Sequence, residues 1–251
     1  MPPTLILIRH GEALHNVEKD YSIPDPVLTK LGRKQCADLH EQLKESLPLA
    51  QQVEAIVSSP MVRTIETTLI GLDWLIKKSI PIELDPLWQE NSSKPCDTGS
   101  PVAELKKRFS DLDWSPVEST TYPDKTGPGS PYAFTKTAVL ARGQTCLKNL
   151  YQRKEKVVAV VAHSGFLRCA VSHNLYANAD YRVFDFVSNT DPEKPELAEW
   201  DLTADNGGGM GTSEKGRVVV SATDFPPEET VAEVRGEQGK QIQDEAAKEV
   251  P

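Results

Sequence analysis

Two arginines and two histidines matter here because of what precedes them. Arg9 and His10 follow the apolar run Leu5–Ile8; Arg63 follows Ala55-Ile56-Val57 and the triplet Ser58-Ser59-Pro60; His163 follows the run Val157–Ala162. Guanidinium groups brought to one point offer forked N–H donors that match the oxygens of a tetrahedral oxyanion, phosphate above all. A neutral imidazole among such cations is a competent nucleophile toward phosphorus. The same cations push its pKa down and keep it unprotonated near neutral pH. The chemistry these residue types predict is phosphoryl transfer.

For the four residues to meet, strands must carry them. Leu5–Ile8, Ala55–Val57 and Val157–Ala162 are continuous apolar runs rich in β-branched residues, the pattern of strands buried on both faces of a parallel sheet. Ligands of such sheets bind beyond the carboxyl ends of the strands, so the three polar clusters should converge. Helical stretches alternate with the strands. Thr29 caps a helix with Leu31, Leu39, Leu43 and Leu47 on one stripe, ended by Pro48. Ser59 reads as an N-cap and Pro60 as the first residue of a helix running to about Lys77. That helix start would aim its dipole and free N–H groups at the oxyanion. A short strand follows over Ile80–Leu84, a long helix over about 132–153, and a helix beginning near Ser164 with Phe166, Leu167, Ala170 and Val171. Late strands are expected near Leu197–Leu202 and Arg217–Ala222, with a flexible connector over Asp205–Gly216. The whole reads as an α/β fold, a three-layer α/β/α sandwich with a mostly parallel central sheet.

The 251 residues suffice for one sizeable domain, set here at 1–225. Within it 91–131 is irregular and rich in Pro, Ser, Thr and Gly, the signature of a lid-like insertion. Residues 226–251 read as an acidic, disordered tail. A net charge of −9 argues against a nucleic-acid partner. The N-terminal apolar run is too short for a signal peptide or a membrane span, so no membrane association and a cytoplasmic location are expected. The four cysteines form no CxxC pair and are read as free thiols. No acidic cluster suggests a metal site.

Leu7-Ile8-Arg9-His10-Gly11-Glu12 with Asn16, then Ser58-Ser59-Pro60-Met61-Val62-Arg63-Thr64, then Ala162-His163-Ser164-Gly165, resemble in order the three motifs of the histidine phosphatase superfamily, the phosphoglycerate-mutase-like branch 1 group. Leu28-Thr29-Lys30-Leu31-Gly32 resembles its helix-entry segment. The resemblance implies that His10 accepts the phosphoryl group and that Arg9, Arg63, His163 and Asn16 bind phosphate. It also implies that Glu90, in Leu87-Trp88-Gln89-Glu90, is the proton donor and later the base, with no cofactor or metal. Ser22 and Ser164 are further candidates for phosphate contact. The substrate implied is a small phosphorylated metabolite; the leaving group and the oligomeric state are not legible. Ala13 stands where the family's mutases usually carry serine, and Asn91–Gly99 does not match their substrate segment. Hydrolysis is therefore favoured over two alternatives: a phosphomutase, or a non-catalytic phosphate-recognition module. His15, His40 and His173 read as surface or helix-packing residues. Lys106-Lys107-Arg108 reads as a solvated helix face or a second anion contact. Trp88, Trp114 and Tyr122 fit either a leaving-group pocket or the core.

Overall fold

A computed structural model of the chain describes residues 1–226. In chain order its elements are β1 (Thr4–Arg9), α1 (Leu14–Val17), α2 (Lys30–Glu41), β2 (Val53–Ser58), α3 (Val62–Gly71), α4 (Asp73–Ile76), β3 (Ile82–Leu84), α5 (Val102–Arg108), α6 (Ser115–Glu118), α7 (Lys136–Tyr151), β4 (Val157–Ala162), α8 (Ser164–Phe166), β5 (Tyr181–Phe186), β6 (Leu197–Glu199) and α9 (Asp201–Ala204). The tail expected over 226–251 lies, from residue 227 on, outside the described residues.

The strands form one six-stranded sheet in the order β3-β2-β4-β1-β5-β6. β1, β2, β3 and β4 pair in parallel, whereas β5 is antiparallel to both β1 and β6. The apolar runs are continuous because both faces of the sheet are covered. Leu5 and Leu7 of β1 pack with Val158 and Val160 of β4 toward α7 and the turn after α8. Ile6 and Ile8 pack with Val157, Ala159 and Val161 toward α2 and α4. This alternation is the period-two geometry of a strand.

Several expectations are corrected. α2 extends through a wider π turn over Gln42–Ser46; Leu39, Leu43 and Leu47 are buried, but Leu31 is half exposed and leaves the stripe. The helix after β2 starts at Val62, not Pro60, and breaks at Leu72 before resuming as α4. The strand expected over Ile80–Leu84 is only Ile82–Leu84. The strand Tyr181–Phe186 gives no long apolar run, and its seat between β1 and β6 makes it part of the sheet. Arg217–Ala222 forms no strand; Arg217 makes a single bridge to Asn174. The connector over Asp205–Gly216 is anchored. The fully buried Asp180 carboxylate accepts from Met210 N at 2.8 Å and from the hydroxyls of Thr212 and Ser213 at 3.1 and 2.5 Å. The 91–131 segment is partly helical, and Leu105, Trp114, Val117, Tyr122 and Tyr132 join Val62 and Ile65 of α3 in a third apolar cluster.

Candidate active site

The ladder explains why the three clusters meet. Arg9 pairs with Ala162, and Ser58 with Val161, so β1, β2 and β4 end within one residue of each other. The next residues, His10, Ser59 and His163, therefore stand side by side. His10 N donates to Ala162 O and Ser59 N to Val161 O, both at 3.1 Å, which carries the register one residue past the strands. The loop after His10 is pressed against α2. A Cβ on Gly32 would meet Glu12 O at 1.9 Å, so no larger residue fits there.

His10 is 2% exposed. Its Nδ1 lies 2.7 Å from Gly11 O, which assigns the proton to Nδ1 and the lone pair to Nε2. Nε2 accepts from Arg63 Nε at 3.2 Å. Burial, then the cations Arg63 and Arg9, push His10 well below the ordinary histidine range. His163, also buried, stands edge-on with its ring centroid 5.2 Å from that of His10, and its Nε2 is 2.9 Å from Ser59 Oγ. Its pKa is lowered by burial and by Arg63. Arg9 donates to Tyr176 O at 2.6 Å; burial lowers its pKa to about 10, with Glu90 opposing and Arg63 reinforcing the shift.

Arg63 is fully buried and binds three partners: His10, Cys96 O at 2.7 Å, and Asp97 Oδ1 at 3.3 Å. The first N–H of α3 is already taken. Ser59 faces His163 and is not the cap, while Asp25 Oδ1 accepts from Val62 N at 3.0 Å. α3 brings the Arg63 guanidinium to the site.

Glu90 sits beside α8. Its carboxylate accepts from Gly165 N at 3.0 Å, Phe166 N at 2.8 Å and Asn91 N at 2.9 Å. A Cβ on Gly165 would come within 2.6 Å of Glu90 Oε1, so the glycine of the third motif makes room for the carboxylate. The neighbouring acids are engaged elsewhere: Glu83 with Arg153, and Asp85 with Leu87 N.

The other candidates divide. Asn16 lies next to the cluster; its Oδ1 accepts from Ala13 N at 3.0 Å and its Nδ2 is 3.0 Å from His15 Nε2. Ser164 opens α8 beside His163, half-buried. Ser22 is exposed and bonds to Asp20, and no bond links it to the cluster. His15, read as surface or packing, is 6% exposed with its ring 6.0 Å from His10. Burial and Arg63 lower its pKa to about 4, against Asp97. Lys106 pairs with the exposed Glu118, and Arg108 reaches from the surface to the buried Glu66; their ion pairs tie both away from the cluster. Trp88, Trp114 and Tyr122 belong to the core clusters. Among the described residues, no group of three or more His, Cys, Asp or Glu side chains is placed to hold a metal ion, and no helix is long and apolar enough to cross a membrane. All four cysteines are free and buried.

Two residues that sequence reasoning did not single out enter the site from the 91–131 segment. Asp97 pairs with Arg63 and accepts from Ser92 Oγ at 2.6 Å. Lys125 is buried, and burial together with Arg142 lowers its pKa. Neither belongs to a motif or a periodic pattern, so no sequence signal marks them.

Known proteins resemble this chain in both sequence and fold. The sequence profile of the histidine phosphatase superfamily (branch 1) matches residues 5–191. A Schizosaccharomyces pombe protein named as a probable phosphatase is 32% identical, the match covering 66% of this chain and 76% of that protein. An Arabidopsis thaliana phosphoglycerate mutase-like protein is 30% identical, over 67% of this chain and 73% of that one. The crystal structure of the alpha-ribazole phosphatase from Shigella flexneri has the same fold, with a TM-score of 0.50 at 17% identity, covering 78% of this chain and 95% of that one.

Proposed function

The chain belongs to the histidine phosphatase superfamily, branch 1, and from that premise we propose that it is a phosphomonoesterase acting on a small phosphorylated metabolite through a phosphohistidine on His10, without a metal. The observation that carries this reading is the His10 imidazole. Its proton is engaged with Gly11 O, and its Nε2 lone pair faces the site beside the Arg63 guanidinium.

In this reading the phosphoryl oxygens of the ester lie against Arg9, Arg63 and His163, which neutralise charge as the P–O bond loosens. His10 Nε2 attacks phosphorus in line. The bond to the leaving oxygen breaks, and that oxygen takes a proton from Glu90. Water then attacks the phosphohistidine and gives its proton to the Glu90 carboxylate; the N–P bond breaks, inorganic phosphate leaves and the Nε2 lone pair is restored. The guanidiniums supply the cationic charge that a metal ion supplies elsewhere. The site residues, the metal independence, the single domain with 91–131 as its lid-like insertion, and the cytoplasmic location are parts of this proposal. Ala13 and the 91–99 segment favour water as the final acceptor over a mutase's return of the phosphoryl group to substrate.

The test is a trapping experiment in EDTA. Wild type quenched during turnover of a labelled aryl phosphate should carry acid-labile, base-stable phosphate, and His10→Ala none. Loss of activity on chelation, restored by magnesium or zinc, would sink the metal-free mechanism. Isomerised phosphoglycerate formed faster than phosphate would establish the mutase.

A further inference from the structure

Lys125 belongs to the 91–131 segment, yet it is only 4% exposed. A buried ammonium costs several kcal/mol unless its donors are satisfied, so its partners carry information. Nζ donates to Glu90 O at 2.5 Å and to Ser92 O at 2.8 Å. The residue between them, Asn91, is held by a second buried cation. Arg142 of α7 is 3% exposed, donates to Asn91 Oδ1 at 2.9 Å and stacks 4.3 Å above the Phe166 ring. Phe166 in turn gives its N–H to the Glu90 carboxylate. Residues 90, 91 and 92 are thus each gripped by a buried cation from elsewhere in the chain, and the first of them bears the candidate acid.

We propose that Lys125 is a positioning residue for the general acid: by binding the carbonyls of Glu90 and Ser92 it fixes the turn that presents the Glu90 carboxylate to the leaving oxygen, while Arg142 fixes the same turn from α7. The 91–131 segment, tied to α3 by its apolar cluster, thereby sets the geometry of a proton transfer in which it takes no chemical part. An acid must lie within hydrogen-bond reach of the oxygen it protonates. A turn held by side chains alone supplies that reach only while the grip lasts. This inference rests on Glu90 being the acid.

The experiment compares wild type, Glu90→Gln, Lys125→Met and the double variant in single turnover, with glycerol 2-phosphate and p-nitrophenyl phosphate as substrates. An alkoxide needs a proton to leave and a nitrophenolate hardly does. Lys125→Met should therefore slow glycerol phosphate by roughly 10–10²-fold and nitrophenyl phosphate by less than about threefold. Adding Lys125→Met to Glu90→Gln should cost glycerol phosphate turnover less than about threefold more, because the lysine acts through a group already disabled. Lys125→Arg should recover part of the loss. Equal slowing of both substrates by Lys125→Met, or full additivity in the double variant, overturns the proposal. If Glu90→Gln shows the leaving-group dependence and Lys125→Met does not, the acid stands and the lysine's role falls. If Glu90→Gln shows none, both fall. Should Lys125→Met fail to fold, Lys125→Ala, which removes the donor and leaves room for water at the two carbonyls, carries the same comparison.

Discussion

His10, Ser59 and His163 stand one residue beyond three parallel strands in register, whereas Asp97 and Lys125 reach the same site from a segment with no period and little regular structure. The first group is placed by the backbone ladder, which would set the strand ends within one residue of each other whatever side chains followed. The second is placed by side chains bonding to backbone carbonyls and to Arg63. Changes at the strand ends should therefore remove chemistry and spare the fold, while changes in the segment should alter geometry first. Arg63, bonded to His10 on one side and to Cys96 O and Asp97 on the other, belongs to both regions.

The largest test of this contrast is His10→Ala. Turnover should fall by on the order of 10⁴-fold or more, since loss of a nucleophile disables the whole catalytic unit. Its thermal melt should stay close to that of wild type. A variant within tenfold of wild type, about 1.4 kcal/mol of barrier, would remove His10 as nucleophile.

Arg63→Ala should cost roughly 10²–10³-fold in kcat, the scale of one lost oxyanion donor. Unlike His10→Ala it should also unfold more easily, by about 3–5 kcal/mol, because it leaves a buried ion pair broken. Chemical denaturation of the two variants side by side decides this. Equal stability would mean that Arg63 does not couple the two regions.

Asp97→Asn tests the segment alone. The carboxylate sits against the guanidinium proposed to bind phosphate, so neutralising it should tighten inhibition by inorganic phosphate by on the order of tenfold, about 1.4 kcal/mol. An unchanged or weaker inhibition constant would mean that Asp97 mainly orients Arg63.

The smallest effect is on stability against pH. His10, His163 and His15 are held below the ordinary histidine value, and His15 titrates in the folded state at about 4. The unfolded chain takes up protons near pH 6.5 that the folded protein refuses. Stability from these groups is therefore whole above about pH 6.5 and declines as pH falls toward about 4. His15→Gln should flatten part of that decline in denaturation midpoints; an unaltered slope would mean that His15 is not among the groups responsible.

Much of this was legible in the residues. The apolar runs of β1, β2 and β4 are strand signals that need no context, because a run buried on both faces cannot be read as an amphipathic helix. Once they are strands of a parallel sheet, His10 and His163 must meet and Arg63 must lie near them. The strand Tyr181–Phe186 was not legible. It carries Arg182 and Asp185 among its apolar residues, and its sheet seat is granted by β1 and β6. The reading of His15 stayed open between surface and packing for a related reason, since a helix of one turn carries no period to tell an inward histidine from an outward one.

The sequence by itself determined the fold class, the family and the meeting of the three strand-end clusters, because short-range pattern and the geometry of a parallel sheet leave them little freedom. Only the tertiary structure decided that Asp25 and not a phosphate takes the Val62 N–H at the start of α3, that Asp97 shares Arg63, and that Lys125 and Arg142 grip the turn bearing Glu90. These contacts join residues far apart in the chain through single side chains, and a side chain's partner is set by where the whole fold brings it, not by its neighbours in sequence.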